Sequence, residues 1–341
     1  MVLLLIWSLI EFSLVNYLNK QRAQEILKAI ASRNVVVLGD VMLDEFVWGD
    51  VTRISPEAPI PVVDVQRESV HLGGAANVLA NLISLGSRAS VTGVVGNDRA
   101  GEQLRSTLSQ ITSQNGNLIS DESRPTTLKT RIIAHSQPVV RTDRESRAPV
   151  DARIEDLVIE RLKAELMRAD ALVVSDYDKG AVTPRILETV LPIAYENIPV
   201  LVDPKLRNFR AYRPATLITP NHFEALRMSN SEEDSDDGLY LAAQRIRADL
   251  NCDAVLITRG ARGMMLLETD NDPVYVKTAA REVHDVTGAG DTVIAGLAAA
   301  LAAGASMVEA ATFANQAAGI VVGKVGTATV GPDELLATFE D

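Results

Sequence analysis

Asp285-Val286-Thr287-Gly288-Ala289-Gly290-Asp291 places two glycines one residue apart at the opening of an alanine-rich run and closes on a carboxylate. Glycine lets the backbone turn tightly enough for several N–H groups to point at one spot. A helix N-terminus adds partial positive charge there. Such a spot holds a phosphate, or a phosphoryl group in transfer. Asp291 at its mouth has two readings. It is a helix-capping aspartate, or it is a general base that takes the proton from a hydroxyl while the hole holds the phosphoryl oxygens. Gly-x-Gly at a helix start is common, so spacing alone leaves both open.

Other chemistries lack their residues. The chain has no G-x-x-x-x-G-K-[S/T] phosphate loop, no G-x-S-x-G, and no intact G-x-G-x-x-G after its first strand-like run. The last absence argues against a dinucleotide-dependent dehydrogenase. His71, His135, His222 and His284 are scattered without metal-ligand spacing. Cys252 is the only cysteine, which excludes an intrachain disulfide and thiol-pair chemistry, and a reducing compartment, the cytoplasm, is expected.

The elements that must position Asp291 follow from apolar patterning. Asn34–Gly39 (NVVVLG) is short, β-branched and apolar, as a buried strand requires. Segments 90–96, 171–176, 199–203, 216–219 and 254–258 read the same way. Helical stretches lie between them, at 75–85 (closed by Gly86), 99–110, 152–168, 184–195, 222–228 and 238–250. After Arg281 the chain reads as nearly all helix, over 290–301 and 307–322. This rhythm predicts an α/β fold: a doubly wound, mostly parallel sheet with helices on both faces. Segments 46–66 and 125–145 break the rhythm, being strand-like with no helix between the strands of each, and they predict antiparallel ribbons that pair in space as a small β lid.

The 341 residues are 47% hydrophobic and 23% charged, the balance of a folded domain rather than a disordered chain. A net charge of −12 argues against a nucleic-acid-binding surface but leaves room for a local phosphate pocket. The acidic run 229–238 reads as a solvated loop. Residues 2–18 are strongly apolar but interrupted by Ser8, Glu11, Ser13 and Asn16, and short against the roughly 20 residues of a membrane span. No basic residue precedes them and no A-x-A site follows. The reading is an amphipathic lead-in helix within 1–33, or the product of an upstream start codon, with no membrane partner.

Asp285–Asp291 resembles the C-terminal signature of the ribokinase/PfkB sugar kinases, D-T-x-G-A-G-D, with Val286 in place of the signature threonine. The resemblance runs over about 34–335 through four more motifs in the family's order. These are Gly39–Asp44 (GDVMLD), Gly73-Gly74-Ala75-Ala76-Asn77, Asn221-His222-Phe223-Glu224 and Thr258-Arg259-Gly260-Ala261-Arg262-Gly263. It implies one ribokinase-like kinase domain over 34–341, with Asp291 as base and Gly288, Ala289 and Gly290 framing an anion hole that includes the N–H of Asp291. Asp44, Gly73, Gly74 and Asn77 would bind the sugar. Asn221, Glu224, Thr258, Gly260, Gly263 and Asn315 would serve ATP, Glu224 would hold Mg²⁺ through water, and Asp285 and Thr287 would hold a monovalent cation such as K⁺. An intact Asp291 argues against a catalytically dead sugar sensor.

The match narrows at GDVMLD, at Thr52–Pro61 (TRISPEAPIP), at Ser175–Gly180 (SDYDKG) and at Asp203-Pro204-Lys205. These resemble the D-glycero-β-D-manno-heptose-7-phosphate kinases of lipopolysaccharide precursor synthesis, in a form without the H-x-G-H of a fused nucleotidyltransferase. Nucleotidyl transfer would then need a separate protein; another phosphosugar or nucleoside kinase of the family is the alternative. Met42 stands where many relatives carry a sugar-binding asparagine, which argues against a simple pentose. A distal phosphate needs cations, and the candidates are Arg141, Lys179, Lys205 and Arg53. Arg141 and Lys205 come first, one on the lid and one just after a strand. Open ribbon edges predict a homodimer through the lids.

Overall fold

Val35, Val36, Val37 and Leu38 are all fully buried, as a strand covered on both faces demands. Successive side chains point to opposite faces. Val35 and Val37 therefore join one apolar layer while Val36 and Leu38 join the other. Ala171 and Val173 against Leu172 and Val174 repeat the division. Each valine so removed from water contributes about 1.5–3 kcal/mol before entropic costs.

This computed structural model describes residues 17–112, 117–135, 137–269 and 271–340. Its strands are β1 (Asn34–Gly39), β2 (Val41–Ile54), β3 (Pro61–Gly74), β4 (Arg88–Val95), β5 (Leu118–Ser120), β6 (Thr127–Ala134) and β7 (Gln137–Arg144). They continue with β8 (Ala171–Ser175), β9 (Val200–Asp203), β10 (Leu217–Ile218), β11 (Ala254–Thr258), β12 (Met264–Glu268) and β13 (Val274–Val276). The helices are α1 (Lys20–Ile30), α2 (Ala75–Ser84), α3 (Arg99–Ile111), α4 (Ala152–Leu166) and α5 (Pro184–Tyr195). After them come α6 (His222–Met228), α7 (Asp236–Leu250), α8 (Ala289–Ala302), α9 (Met307–Val321) and α10 (Pro332–Leu336). Of the apolar stretch 2–18, residues 2–16 lie outside the described residues. The described helix that follows, α1, is capped by Asn19 and buries Ala23, Ile26 and Ile30.

The main sheet has nine strands in the order β13-β12-β11-β10-β9-β8-β1-β4-β5. All neighbours from β11 to β5 are parallel, and β12 and β13 close one edge antiparallel. The sequence reading assigns no strand to 118–120 or 264–276. The chain leaves β1 toward β4 and β5, then returns to β8 and moves the other way. The switch between β1 and β8 opens a crevice at the strands' carboxyl ends, where open α/β sheets bind ligands.

A second sheet, β3-β2-β6-β7, forms the lid. Its hairpins β2/β3 and β6/β7 are antiparallel and are joined by a parallel seam between β2 and β6. The first hairpin is longer than the segment 46–66 suggests. It begins at Val41 and ends at Gly74, so the two segments carrying Asp44 and Gly73 are themselves lid strands. Register shifts at Trp48/Gly49 and Val51/Arg53 interrupt its alternation.

Candidate active site

The carboxyl ends of four parallel strands deliver the site. Asp40 follows β1, Asp176 and Tyr177 follow β8, Asp203 ends β9, and Asn221 follows β10. Above them sits the N-terminus of α8. Gly288 adopts φ +78°, a left-handed conformation that glycine takes without strain. A β-carbon there would also lie 2.7 Å from Asn77 Nδ2. The Ala289 N–H donates to the Val286 carbonyl at 3.2 Å. Among the described residues, the N–H groups of Gly290 and Asp291 have no protein acceptor, so the hole consists of these two rather than three. A β-carbon on Gly290 would meet nothing within 4 Å, so the hole opens into free space.

Asp291 is buried, with 2% of its surface exposed. Its Oδ2 accepts from Asn77 Nδ2 at 2.8 Å and its Oδ1 from the Tyr177 hydroxyl at 2.7 Å. Burial pushes its carboxyl up to about 6, against the two hydrogen bonds. Asp44 pushes the same way and Lys129 opposes it. Asn77 thus touches the carboxylate itself.

The lid carries Asp44, Gly73 and Gly74, three of the residues that the sequence reading assigns to a sugar. Asp44 on β2 is ion-paired to Arg131 of β6, and Lys129 is its register partner on that strand. Gly73 stands opposite Met42, and a β-carbon on it would run into the Asp44 carboxylate and the Met42 side chain. Gly74 leads directly into α2, which carries Asn77. Lys179 Nζ pairs with Glu145 at 2.8 Å in a nearly enclosed position. Burial holds the Lys129 ammonium below its ordinary range, with Asp44 opposing and Lys179 adding repulsion. Among the described residues no carboxylate pairs directly with Lys129.

A cavity of about 160 Å³ beside Tyr177 is lined by Asp203, Lys205, Asn221, Glu224, Thr258 and Gly290. Asn221 and Glu224 form a capping box on α6, with bonds of 3.0 Å in both directions. Glu224 is also ion-paired to Lys205. Lys205 therefore faces this cavity rather than the lid. Thr258 bonds back to the Pro220 carbonyl, and Gly260 and Gly263 bracket the turn between β11 and β12. Asn315 on α9 donates to the Lys277 carbonyl at 2.8 Å. Asp285 accepts from the N–H groups of Thr287 at 2.9 Å and Gly326 at 3.0 Å, tying the loop before α8 to the loop after α9.

Two candidates stay outside this cluster. Arg141 lies on the outer strand β7, 57% exposed, and pairs with Asp143 at 2.9 Å. Arg53 lies toward the exposed far end of β2. Lys129 and Arg131 are absent from the sequence reading, and Asp40, Tyr177 and Asp203 enter it only within motifs, without a role of their own. The alternation in TLKTRI puts Lys129 and Arg131 on one strand face, a signal that was available.

Asp203 supplies a stability test. Burial pushes its carboxyl from 3.8 up to about 8; Lys205 opposes this, while Glu224, Asp291 and Asp176 reinforce it. A raised carboxyl favours folding fully below its unfolded value and loses that contribution as pH rises through the folded value. Asp203→Asn should therefore melt higher than wild type, with a gap that widens between pH 4.5 and pH 8. Thermal melts across that window check it, and a gap that stays constant would mean an aspartate ionised in the fold.

A buried carboxylate at the mouth of a glycine-opened helix, set over the switch point of a parallel sheet, suits a phosphotransferase that acts on a hydroxyl. The chain belongs to the pfkB family carbohydrate kinases, whose pattern it matches over residues 32–334. It is 47% identical over 303 residues to the bifunctional protein HldE of Geotalea uraniireducens, covering 89% of this chain and 62% of that protein. To HldE of Geobacter metallireducens it is 46% identical over 307 residues, covering 90% and 63%. The chain thus spans less than two thirds of these relatives' length. The fold resembles Escherichia coli phosphofructokinase-2 in complex with potassium, with a TM-score of 0.74, 20% identity and coverage of 90% and 98%. It also resembles Arabidopsis thaliana ribokinase complexed with ribose and ATP, with a TM-score of 0.70, 19% identity and coverage of 91% and 99%. Among the described residues no helix is long and apolar enough to cross a membrane.

Proposed function

We propose that this sugar kinase uses ATP to phosphorylate the anomeric 1-hydroxyl of D-glycero-β-D-manno-heptose 7-phosphate, giving the 1,7-bisphosphate for ADP-heptose and lipopolysaccharide core synthesis in the cytoplasm. The observation that carries the reading is Asp291, buried and hydrogen-bonded through both oxygens at the glycine-opened start of α8. The HldE relatives and the GDVMLD and SDYDKG motifs support the choice of sugar. Asp291 takes the hydroxyl proton as that oxygen bonds to the γ-phosphorus, and the bond to the leaving ADP oxygen breaks. The N–H groups of Gly290 and Asp291 hold the transferring oxygens. With a carboxyl near 6, kcat/KM should fall about tenfold per pH unit below that value.

The cavity holds the donors for a water-mediated Mg²⁺ rather than a directly ligated one: among the described residues no three metal-ligating side chains cluster, and Glu224 is already bonded to Lys205 and to the Asn221 N–H. Magnesium keeps several waters and needs few carboxylates. Asn221 and Glu224 would hold it through water, and it would supply positive charge at the phosphates. Asp285 and Thr287 are the residues we assign to a monovalent cation such as K⁺. Hydrogen bonds from Thr287 and Gly326 hold the Asp285 carboxyl below its ordinary range despite burial, so it stays anionic.

³¹P NMR of products formed from a panel of phosphosugars with Mg-ATP tests the reading. An anomeric phosphate signal on heptose 7-phosphate is expected. Turnover of a hexose phosphate with none of the heptose would sink it. The lid also exposes Ile54, Ile60, Val65 and Val140, which supports a homodimer formed lid to lid. Light scattering at micromolar protein should give twice the chain mass, and a monomer mass would reject it.

A further inference from the structure

We propose that Tyr177 is a positioning residue for Asp291, its hydroxyl fixing the orientation of the carboxylate that receives the sugar's proton. A carboxylate has about four lone-pair sites. Two are already taken here, one on each oxygen, by Asn77 and Tyr177. Two donors on opposite oxygens stop the group from turning about its own axis. They thereby select the lone pairs left for the substrate. This rests on Asp291 being the base.

Tyr177 is itself held. Its N–H donates to Asp40 Oδ2 at 2.8 Å, and the N–H groups of Lys179 and Ala181 bond the same carboxylate at 3.0 Å each. Asp40 is 2% exposed, so the whole turn hangs on a buried anchor at the end of β1. Next to it, Asp176 accepts from Asn208 at 2.7 Å and from the Tyr212 hydroxyl at 2.6 Å, bracing the turn from below. Lys129 Nζ and Lys205 Nζ each lie over the Tyr177 ring, 5.7 and 5.6 Å from its centroid. The ring also lines the cavity that holds Lys205 and Glu224. Burial first, then Asp291, holds the phenol well above its ordinary range, so it donates at any working pH and never competes as a base.

The charged groups that face Asp291 are Asp44 from β2, Lys129 from β6 and Asp203 from β9, with Asn77 of α2 as the other donor. None of these is altered by Tyr177→Phe, which keeps the ring and removes one hydroxyl. Two readouts on the full chain decide the case. The Asp291 carboxyl midpoint, followed by ¹³C NMR in the ligand-free protein and identified by its loss in Asp291→Asn, should rise by roughly one to two pH units. Turnover at neutral pH should fall roughly ten- to a hundredfold, with KM for ATP and sugar within about threefold.

An unmoved midpoint overturns the Tyr177–Asp291 link whatever the turnover does. A shifted midpoint with kcat within twofold of wild type overturns the positioning role. If Asp291→Asn keeps its turnover, the base assignment falls instead, and the midpoint still reports on the link. Should Tyr177→Phe fail to fold, uniform 3-fluorotyrosine labelling keeps every contact and makes the phenol a stronger donor. The midpoint must then move downward; a midpoint that stays or rises overturns the proposal.

Discussion

Replacing Asp291 by asparagine should abolish phosphoryl transfer while leaving ATP and sugar affinities within a few-fold of wild type. The proton acceptor acts in the transition state, and proton transfer of this kind is worth about 10²–10⁴-fold in rate. The variant carries a side cost. An amide accepts through one atom only, so it satisfies either Asn77 or the Tyr177 hydroxyl and leaves the other donor unpaired, at about 1–3 kcal/mol. Loss of a buried negative charge beside Asp44 offsets part of this. Steady-state rates with calorimetric titration of both ligands check the prediction. A variant that kept a tenth or more of wild-type turnover would remove Asp291 from the mechanism.

Lys129→Ala and Lys179→Ala should each lower kcat/KM for the phosphorylated heptose by roughly ten- to a hundredfold. The two ammonium groups repel one another in a place where burial already disfavours the charge of Lys129. An anionic substituent on the sugar relieves both costs. The same variants should scarcely change any weak activity on unphosphorylated heptose, which offers nothing to grip. Lys205→Ala should instead weaken ATP, because Lys205 is paired with Glu224 in the other cavity. Arg141→Ala should change little, because Arg141 lies exposed on the outer lid strand, outside the cluster around Asp291. Equal losses on both sugars for the Lys129 and Lys179 variants would assign them to the fold.

The central sheet was readable because its strands are covered on both faces. Runs such as Val35–Leu38 have no polar interruption, and Gly86 marks the end of α2. The antiparallel edge was not readable. Met264–Glu268 is as long and as buried as β11 but has no β-branched residue to mark it as a strand, and Val274–Val276 is three residues long and only partly buried. The chemistry divided along a similar line. Asp291, Glu224 and Asn77 are reached through five motifs in the order of a known family, since spacing alone leaves Asp291 open between cap and base. Lys129 and Arg131 meet Asp44 through the register of strands far apart in the chain, β2 and β6, and Tyr177 lies in SDYDKG, where nothing in the spacing points to Asp291. Lys205 and Arg141 show the converse. A position after a strand or on a lid does not say which way the side chain goes.

Cys252 has a practical consequence. It lies 5% exposed in the corner between α7 and β11, and burial pushes its thiol up to about 12. Almost no thiolate exists at neutral pH, so alkylating reagents should react only when that corner opens. With a single cysteine in the chain, the labelling rate is a one-site clock for that opening. Nucleotide bound beside β11 should slow it, without any engineered probe.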